Sequence, residues 1–230
     1  MRLIRAATAI AGLLTLPAQA ATRGYTISSF DVVRLEAPVQ VILTTGIGPS
    51  ARAEGDAALL DRLRVDVSGR MLTIGLDGSG GSGKGGAATL RLSTGDLRRA
   101  VLTGGGSLTI NRLRGQSGEI VMGGNGDVTI AAVEVDRLAL SVSGSGRATL
   151  AGRAGDAAIR VDGPGAVDAA GLRTRQVAIS NQGPGNISVA AEVTASVSAS
   201  GSGNITVTGP AACTVANSGT GRVLCGGEER

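Results

Sequence analysis

Histidine is missing from all 230 residues, tryptophan is missing too, and tyrosine and phenylalanine occur once each. Without His the chain lacks the commonest general base and metal ligand at neutral pH. Aromatic residues make up 1% of the chain, which removes the ring faces on which nucleic-acid bases stack. Lys and Arg together number 22 against 18 Asp and Glu. Arg2 and Arg5 fall in an N-terminal leader, and without them the balance is 20 against 18, a net charge of +2. The sequence pI of about 10.0 thus reflects Arg used in place of Lys rather than a basic excess. No clustered basic run offers a polyanion surface, so no nucleic-acid partner is expected. Long apolar runs are lacking as well. The longest, Ala6 to Leu16, is too short to cross a bilayer, and no transmembrane segment is expected.

Glycine is what the chain has in quantity, 38 residues. Seven Gly-x-Gly turns recur in the second half, with first glycines at Gly104, Gly124, Gly144, Gly163, Gly183, Gly201 and Gly219. Their intervals are 20, 20, 19, 20, 18 and 18 residues. A period near 20 is too short for a two-helix repeat, so each unit is one coil of a solenoid that buries its apolar face against its neighbours. Four residues past each first glycine stand Leu108, Val128, Ala148, Val167, Ile187, Ile205 and Val223. Six past it stand Ile110, Ile130, Leu150, Ala169, Val189, Val207 and Cys225. Between these columns run Thr109, Thr129, Thr149, Asp168, Ser188, Thr206 and Leu224, an alternation that marks strands with one buried face. A second apolar column, Ala100, Ile120, Leu140, Ile159, Ile179, Val197 and Val215, lies four residues before the glycine. At least two strands per coil are therefore expected to meet at the bend, where glycine supplies dihedrals forbidden to other residues. A third short strand is expected around Leu113, Val135, Leu172 and Val193. The fold class is all-β: a parallel β-helix of seven coils, about 20 residues each and roughly 34 Å tall, with an N-terminal β cap.

Met1 to Ala20 has the pattern of a secretory signal peptide: Arg2 and Arg5, the apolar run, then Ala18-Gln19-Ala20 as a small-residue cleavage site. The mature chain is expected to begin at Ala21 and to be periplasmic or extracellular. No cysteine follows the cleavage site, so a lipid anchor is not expected. Residues 21–99 form capping strands and the first irregular coils, and 100–230 the regular coils, as one continuous domain. In the first part, Phe30, Val32 and Val33 and then Val39, Val41 and Leu43 predict paired strands around a turn at Glu36 to Pro38. Asp56 predicts the N-cap of a short helix through Ala57 to Arg62. Leu63–Val67 and Met71–Leu76 predict a hairpin around Ser68-Gly69-Arg70. Cys213 and Cys225 lie six residues either side of Gly219, both with inward parity. In an oxidising compartment they are candidates for a disulfide closing the terminal coil; two buried thiols acting as small apolar residues are the alternative.

The arrangement resembles the head GIN domain family, also described as autotransporter adhesin head domains. Phe30-Asp31-Val32-Val33, Leu59-Leu60 through Leu72-Thr73-Ile74, and the Ser-Gly-Ser-Gly turns at Ser143 to Gly146 and Ser200 to Gly203 carry the resemblance. Gly201-Ser202-Gly203-Asn204-Ile205 is characteristic. Gly163-Pro164-Gly165 and Gly183-Pro184-Gly185 depart from the pattern, and no carboxy-terminal barrel follows. The resemblance implies an exported β-helix for surface adhesion, interaction or envelope organisation, with a protein or glycan partner and no catalytic activity.

Chemistry-bearing motifs are few. Gly78 to Gly85 nearly matches a phosphate-binding loop, but Gly85 stands where the magnesium-binding hydroxyl belongs and no helix former follows Lys84. Gly123-Gly124-Asn125-Gly126-Asp127 is similar to a calcium-binding nonapeptide, but the equivalent column reads Ser107, Arg147, Ala166, Asn186, Asn204 and Arg222, which suits polar turns rather than a carboxylate ladder. Asp168 and Leu224 break the Thr column and with it any regular ice-binding array. Asp162 and Asp168 with Arg160 are the one candidate group for polysaccharide cleavage, the alternative function. Solvated turn positions explain them equally well, and no catalytic, metal or cofactor residues are assigned.

Overall fold

The computed structural model describes residues 21–78 and 87–229. The leader at Met1 to Ala20 and the glycine-rich loop from 79 to 86, with Lys84, lie outside the described residues. The N-terminal part comprises β1 (Ala21–Tyr25), β2 (Val32–Leu35), β3 (Gln40–Thr45), β4 (Ser50–Gly55), α1 (Ala57–Arg62), β5 (Leu63–Ser68), β6 (Met71–Leu76), β7 (Ala88–Thr94) and β8 (Arg99–Leu102). Asp56 caps α1, its carboxylate accepting the Leu59 N–H at 3.0 Å. β5 and β6 form the expected antiparallel hairpin.

β2 and β3 do not pair with each other, contrary to the sequence expectation. β2 lies between β6 and β8, parallel to both, and β3 lies between β7 and β9 (Ser107–Met122). The first two strands of this layer therefore sit one coil deeper than strands that follow them in the chain. Alternating apolar residues predict two strands but not their partners, and here the turn at Glu36 to Pro38 is a coil corner rather than a hairpin. β4 and β1 close one sheet by antiparallel pairing onto β7, and β5 closes the other. Such a cap covers strand edges that would otherwise invite pairing with another chain.

The regular coils continue as β10 (Asp127–Val142), β11 (Arg147–Val161), β12 (Ala166–Asn181), β13 (Ile187–Ala199), β14 (Ile205–Thr208), β15 (Ala212–Asn217), β16 (Val223–Cys225) and β17 (Glu228–Glu229). All but β17 stack parallel, and the registers follow the sequence columns: Leu108, Val128, Ala148, Val167, Ile187, Ile205 and Val223 are successive partners. The seven bends delimit about six turns of solenoid rather than seven coils. Each of β9 to β12 runs almost the whole way from one Gly-x-Gly to the next as one bent strand. Bulges at the corners take up the bend, for example between Ile130 and Val133 and between Thr149 and Ala151.

Both columns flanking the Thr ladder are buried throughout, and the column before the glycine is buried up to Val197, with Val215 half-buried in β15. Each Val, Leu or Ile side chain in these columns contributes roughly 1.5 to 3 kcal/mol by leaving water. The third column holds for Leu113, Val135 and Leu172 but fails at Val193, which is 51% exposed. The coil from Gly183 to Gly201 is two residues shorter than a 20-residue unit, and the register jumps so that Ala191 takes the inward place opposite Thr174.

Turn glycines are required for a different reason from the one their sequence predicts. None of the first glycines of the seven turns has a positive φ. Instead the coils approach so closely that a Cβ on Gly124 would overlap the carbonyl oxygen of Gly104, one on Gly144 that of Gly124, and one on Gly201 that of Gly183. Backbone stacked on backbone leaves no layer for a side chain.

Candidate functional site

The outward side chains five residues before each first glycine form a column of their own: Arg99, Glu119, Ala139, Ala158, Ala178, Ser196 and Thr214 are partners on successive strands. From Ala139 to Thr214 these side chains are small, and they leave a groove of about 880 Å³ along the solenoid axis, with Glu119 at one end. Five strand spacings separate β9 from β15, so the groove is about 24 Å long. One wall is the next outward column, Ser117, Arg137, Asp156, Gln176, Thr194 and Ala212. On the other side stand Ser141, Arg160 and Ser180, which line a smaller hollow continuous with the alanine column. The floor is methyl and hydroxyl groups on a rigid sheet, and the rim offers amide, carboxylate and guanidinium groups. That composition suits binding of an extended ligand. Sequence reading missed this groove, although the run of small residues five before each first glycine from Gly144 onward was the signal for it.

Around the coil corner lies a second depression of about 430 Å³, bordered by Glu134, Asp136, Arg153, Arg173, Arg175 and Glu192. Gly155 stands between Ala154 and Asp156 at this corner, where a Cβ would lie 2.6 Å from the Asp136 carbonyl oxygen of the neighbouring strand. The two depressions abut, since Asp136, Gly155 and Arg175 are followed directly by the groove residues Arg137, Asp156 and Gln176.

The Gly-x-Gly edge is occupied by its own hydrogen bonds. Asp127 accepts the Arg147 N–H at 2.9 Å, Asn186 accepts that of Asn204 at 2.8 Å, and Asn204 accepts that of Arg222 at 3.0 Å. Within single turns, Asn181 accepts from Gly183 and donates to the Gly185 carbonyl, and Asn217 does the same with Gly219 and Gly221. Asp127, Asn186 and Asn204 of this column therefore each tie one coil to the next through a backbone amide, which is the polar-turn reading of that motif. Among the described residues no group of three or more His, Cys, Asp or Glu is placed to hold a metal ion.

Asp162 and Asp168 are exposed on opposite sides of the Gly163 to Gly165 turn, and neither lies within ion-pairing distance of Arg160. Asp168 accepts the N–H of Ala170, at 3.4 Å. Arg160 belongs to the groove side, facing Ser141 and Ser180 on adjacent strands. The structure does not gather these three residues into one catalytic group. Cys213 and Cys225 are joined across the last coil, with Cα atoms 6.5 Å apart.

Among the described residues Asp31 is the one carboxylate buried against two arginines. Its carboxylate is 3% exposed, and Oδ2 accepts from Arg70 Nε and Arg98 Nε at 2.7 Å each. Burial acts to raise its pKa, but the hydrogen bonds and charges of Arg98 and Arg70 outweigh it and hold the carboxyl below the usual range. The three residues come from neighbouring strand layers, since Asp31 N–H donates to the Arg70 carbonyl and Arg98 N–H to the Asp31 carbonyl. This is a clip that locks the interleaved β2 layer between β6 and β8, not a reactive centre.

Residues 29–211 match the family model described as "Putative auto-transporter adhesin, head GIN domain". No functionally curated protein matches the chain. Among solved structures, a Bacteroides fragilis protein described as a putative adhesin aligns with a TM-score of 0.80 and 22% identity, over 90% of this chain and 96% of its own. A putative adhesin from Parabacteroides merdae aligns at TM-score 0.68 and 20% identity, over 90% and 95%. A Parabacteroides distasonis protein described as a putative lipid binding protein aligns at 0.68 and 21%, over 90% and 96%. At these identities the likeness shows the fold.

Proposed function

This chain belongs to the head GIN domain family, and from that premise we propose that it is an exported, non-catalytic binding protein whose ligand lies in the alanine-floored groove. The observation that carries the proposal is the groove itself: an open, rigid, ligand-sized channel crossing six strands, with polar groups on its rims. Its floor hydroxyls, Ser196 and Thr214, have no histidine beside them, since the chain has none, and the floor carries no paired carboxylates. Export is supported by the sequence of Met1 to Ala20 and by the bond between Cys213 and Cys225, since disulfides persist in oxidising compartments. The adhesin and lipid-binding descriptions of the structural neighbours are in keeping with a ligand-holding surface, and the partner is a protein or glycan of the cell envelope or surface. No helix among the described residues is long and apolar enough to cross a membrane.

Incubation of the protein with envelope polysaccharides, followed by co-sedimentation and by chain-length analysis of the polymer, separates binding from cleavage. Binding with unchanged polymer length is expected, and Asp162→Ala and Asp168→Ala should bind as the wild type does. Polymer shortening that either substitution abolishes would establish the polysaccharide-cleaving alternative instead.

A further inference from the structure

The depression around the corner from the groove holds an arrangement that the fold alone does not explain. Arg153 on β11 and Arg173 on β12 are direct cross-strand partners, both pointing outward. Their Cα atoms are thus about 4.8 Å apart. Like charges directly opposite on neighbouring strands repel. Arg175 stands on the same outer face two residues on, because the intervening Thr174 is fully buried and donates to the Ala190 carbonyl at 2.9 Å. Some other arginines are matched, Arg70 and Arg98 with Asp31, Arg99 with Glu119 and Arg112 with Glu134 at 3.6 Å, while Arg52 stands opposite Arg91 in the cap but has Glu54 at 3.7 Å. No carboxylate among the described residues lies within ion-pairing distance of Arg153, Arg173 or Arg175. Glu134, the nearest acidic member of the Arg153 column, already faces Arg112, while Asp136 and Glu192 border the hollow.

We propose that Arg153, Arg173 and Arg175 are the anion-binding part of the ligand site, and that the ligand is an anionic polysaccharide whose chain follows the groove. The inference rests on the groove reading above and names its ligand class. Guanidinium forks pair bidentately with carboxylate, sulfate or phosphate oxygens, and two forks side by side can share one such group. An external anion there would relieve the repulsion between the two rungs. The adjoining groove decides between polymer and bilayer. Its floor carries alanine and serine rather than large apolar side chains that could insert into lipid, while its length suits several residues of an extended chain. The near absence of aromatic residues also leaves charge pairing, rather than ring stacking, as the means of holding a sugar chain.

The test is titration of the full mature protein with heparin as a sulfated polymer, polygalacturonate as a carboxylated one, dextran as a neutral one and phosphatidylglycerol vesicles as an anionic lipid surface. Binding to one or both anionic polymers is expected. The triple variant Arg153→Gln, Arg173→Gln, Arg175→Gln should weaken it at least tenfold and lower the log–log salt slope by about one per arginine in contact. Arg52→Gln, at the capped end, should leave binding unchanged, and unfolding midpoints of all variants should agree. Equal affinity of the triple variant and Arg52→Gln overturns the inference. So does arginine-dependent binding to the vesicles with none to the polymers. Dextran binding that ignores the arginine changes but is lost in Ala158→Trp also overturns it and leaves the groove reading standing. Absence of binding to every probe overturns the polymer assignment.

Discussion

Substitution of Gly144 by Ala perturbs the solenoid where two backbones meet with nothing between them. A Cβ at this position would overlap the carbonyl oxygen of Gly124 and lie 2.6 Å from its carbonyl carbon and 3.0 Å from its nitrogen. Ordinary contact begins at 3.4 Å, so the two turns must separate by more than about 1 Å. Two hydrogen bonds hold this place together: Ser145 N–H to Gly124 O at 3.1 Å and Gly165 N–H to Gly144 O at 2.9 Å. Separation by about 1 Å takes the first well past hydrogen-bond range. Losing one or two such bonds costs about 0.5 to 1.5 kcal/mol each, and residual overpacking adds about 1 to 3 kcal/mol. Reduced freedom of the unfolded chain returns about 0.4 to 1 kcal/mol. The net expectation is a loss of about 2 to 4 kcal/mol, the difference of these contributions. Gly95→Ala and Gly48→Ala are the controls: both sites are exposed, neither has a positive φ, and a Cβ at either meets nothing within 4 Å. Urea unfolding followed by far-ultraviolet circular dichroism reads the difference, with the denaturant slope checked so that only midpoints at equal slope are compared. If Gly144→Ala unfolds at the same midpoint as Gly95→Ala, the coils are not stacked backbone to backbone at the turns.

Ile130→Asp buries an unpaired charge in the continuous core and should cost several kcal/mol, or about 3 to 5, whereas Thr129→Asp on the outer face should change stability by about 0.5 kcal/mol or less; equal losses in thermal unfolding would refute the register. Because the Asp31 carboxyl is held below its unfolded value, the stability it contributes is present above about pH 4 and is lost as pH falls through the lower folded value. Asp31→Asn should therefore cost about 2 to 3 kcal/mol at pH 7 through its two charge-assisted bonds and flatten the acid limb of a stability–pH curve; an unchanged acid limb would remove the clip from the explanation. Cys213→Ser with Cys225→Ser opens a loop of sequence separation 12 and should cost about 2 to 3 kcal/mol, and non-reducing mass spectrometry of the exported wild type should find one linked peptide pair, with two alkylated thiols as the contrary result.

The regular coils were legible because every strand repeats one alternation at a nearly constant distance from a glycine, so Leu108, Val128 and their equivalents could be aligned without knowing the fold. The N-terminal layering was not. Alternation around Val33 and Val41 is the same whether β2 and β3 pair with each other or with strands 40 to 70 residues away, and the partner is chosen by Asp31 between Arg70 and Arg98, a contact with no local signature. Val193 went astray because an 18-residue coil drops two residues at a corner, after which parity no longer carries over. The turn glycines were found for an incomplete reason, since a close approach between coils leaves the same glycine in the sequence as a positive φ does. As for the groove, outward alanines look like unremarkable solvent-facing residues until stacking lines up Ala139, Ala158 and Ala178. Arg153 and Arg173 both stand ten residues before the next first glycine, but isolated arginines look like an ordinary solvated face until cross-strand pairing puts the two side by side.

Ala158→Trp tests the central claim most directly, because it fills the middle of the groove from an exposed position and supplies the only tryptophan of the chain. Stability should stay within about 0.5 kcal/mol of the wild type, so any loss of binding reports occlusion rather than unfolding. Titration of wild type and variant with the polysaccharide that the wild type retains should show affinity lost at least tenfold in the variant, with weak residual binding accompanied by a shift in tryptophan emission. Equal affinity and an unresponsive tryptophan would place the ligand elsewhere on the solenoid.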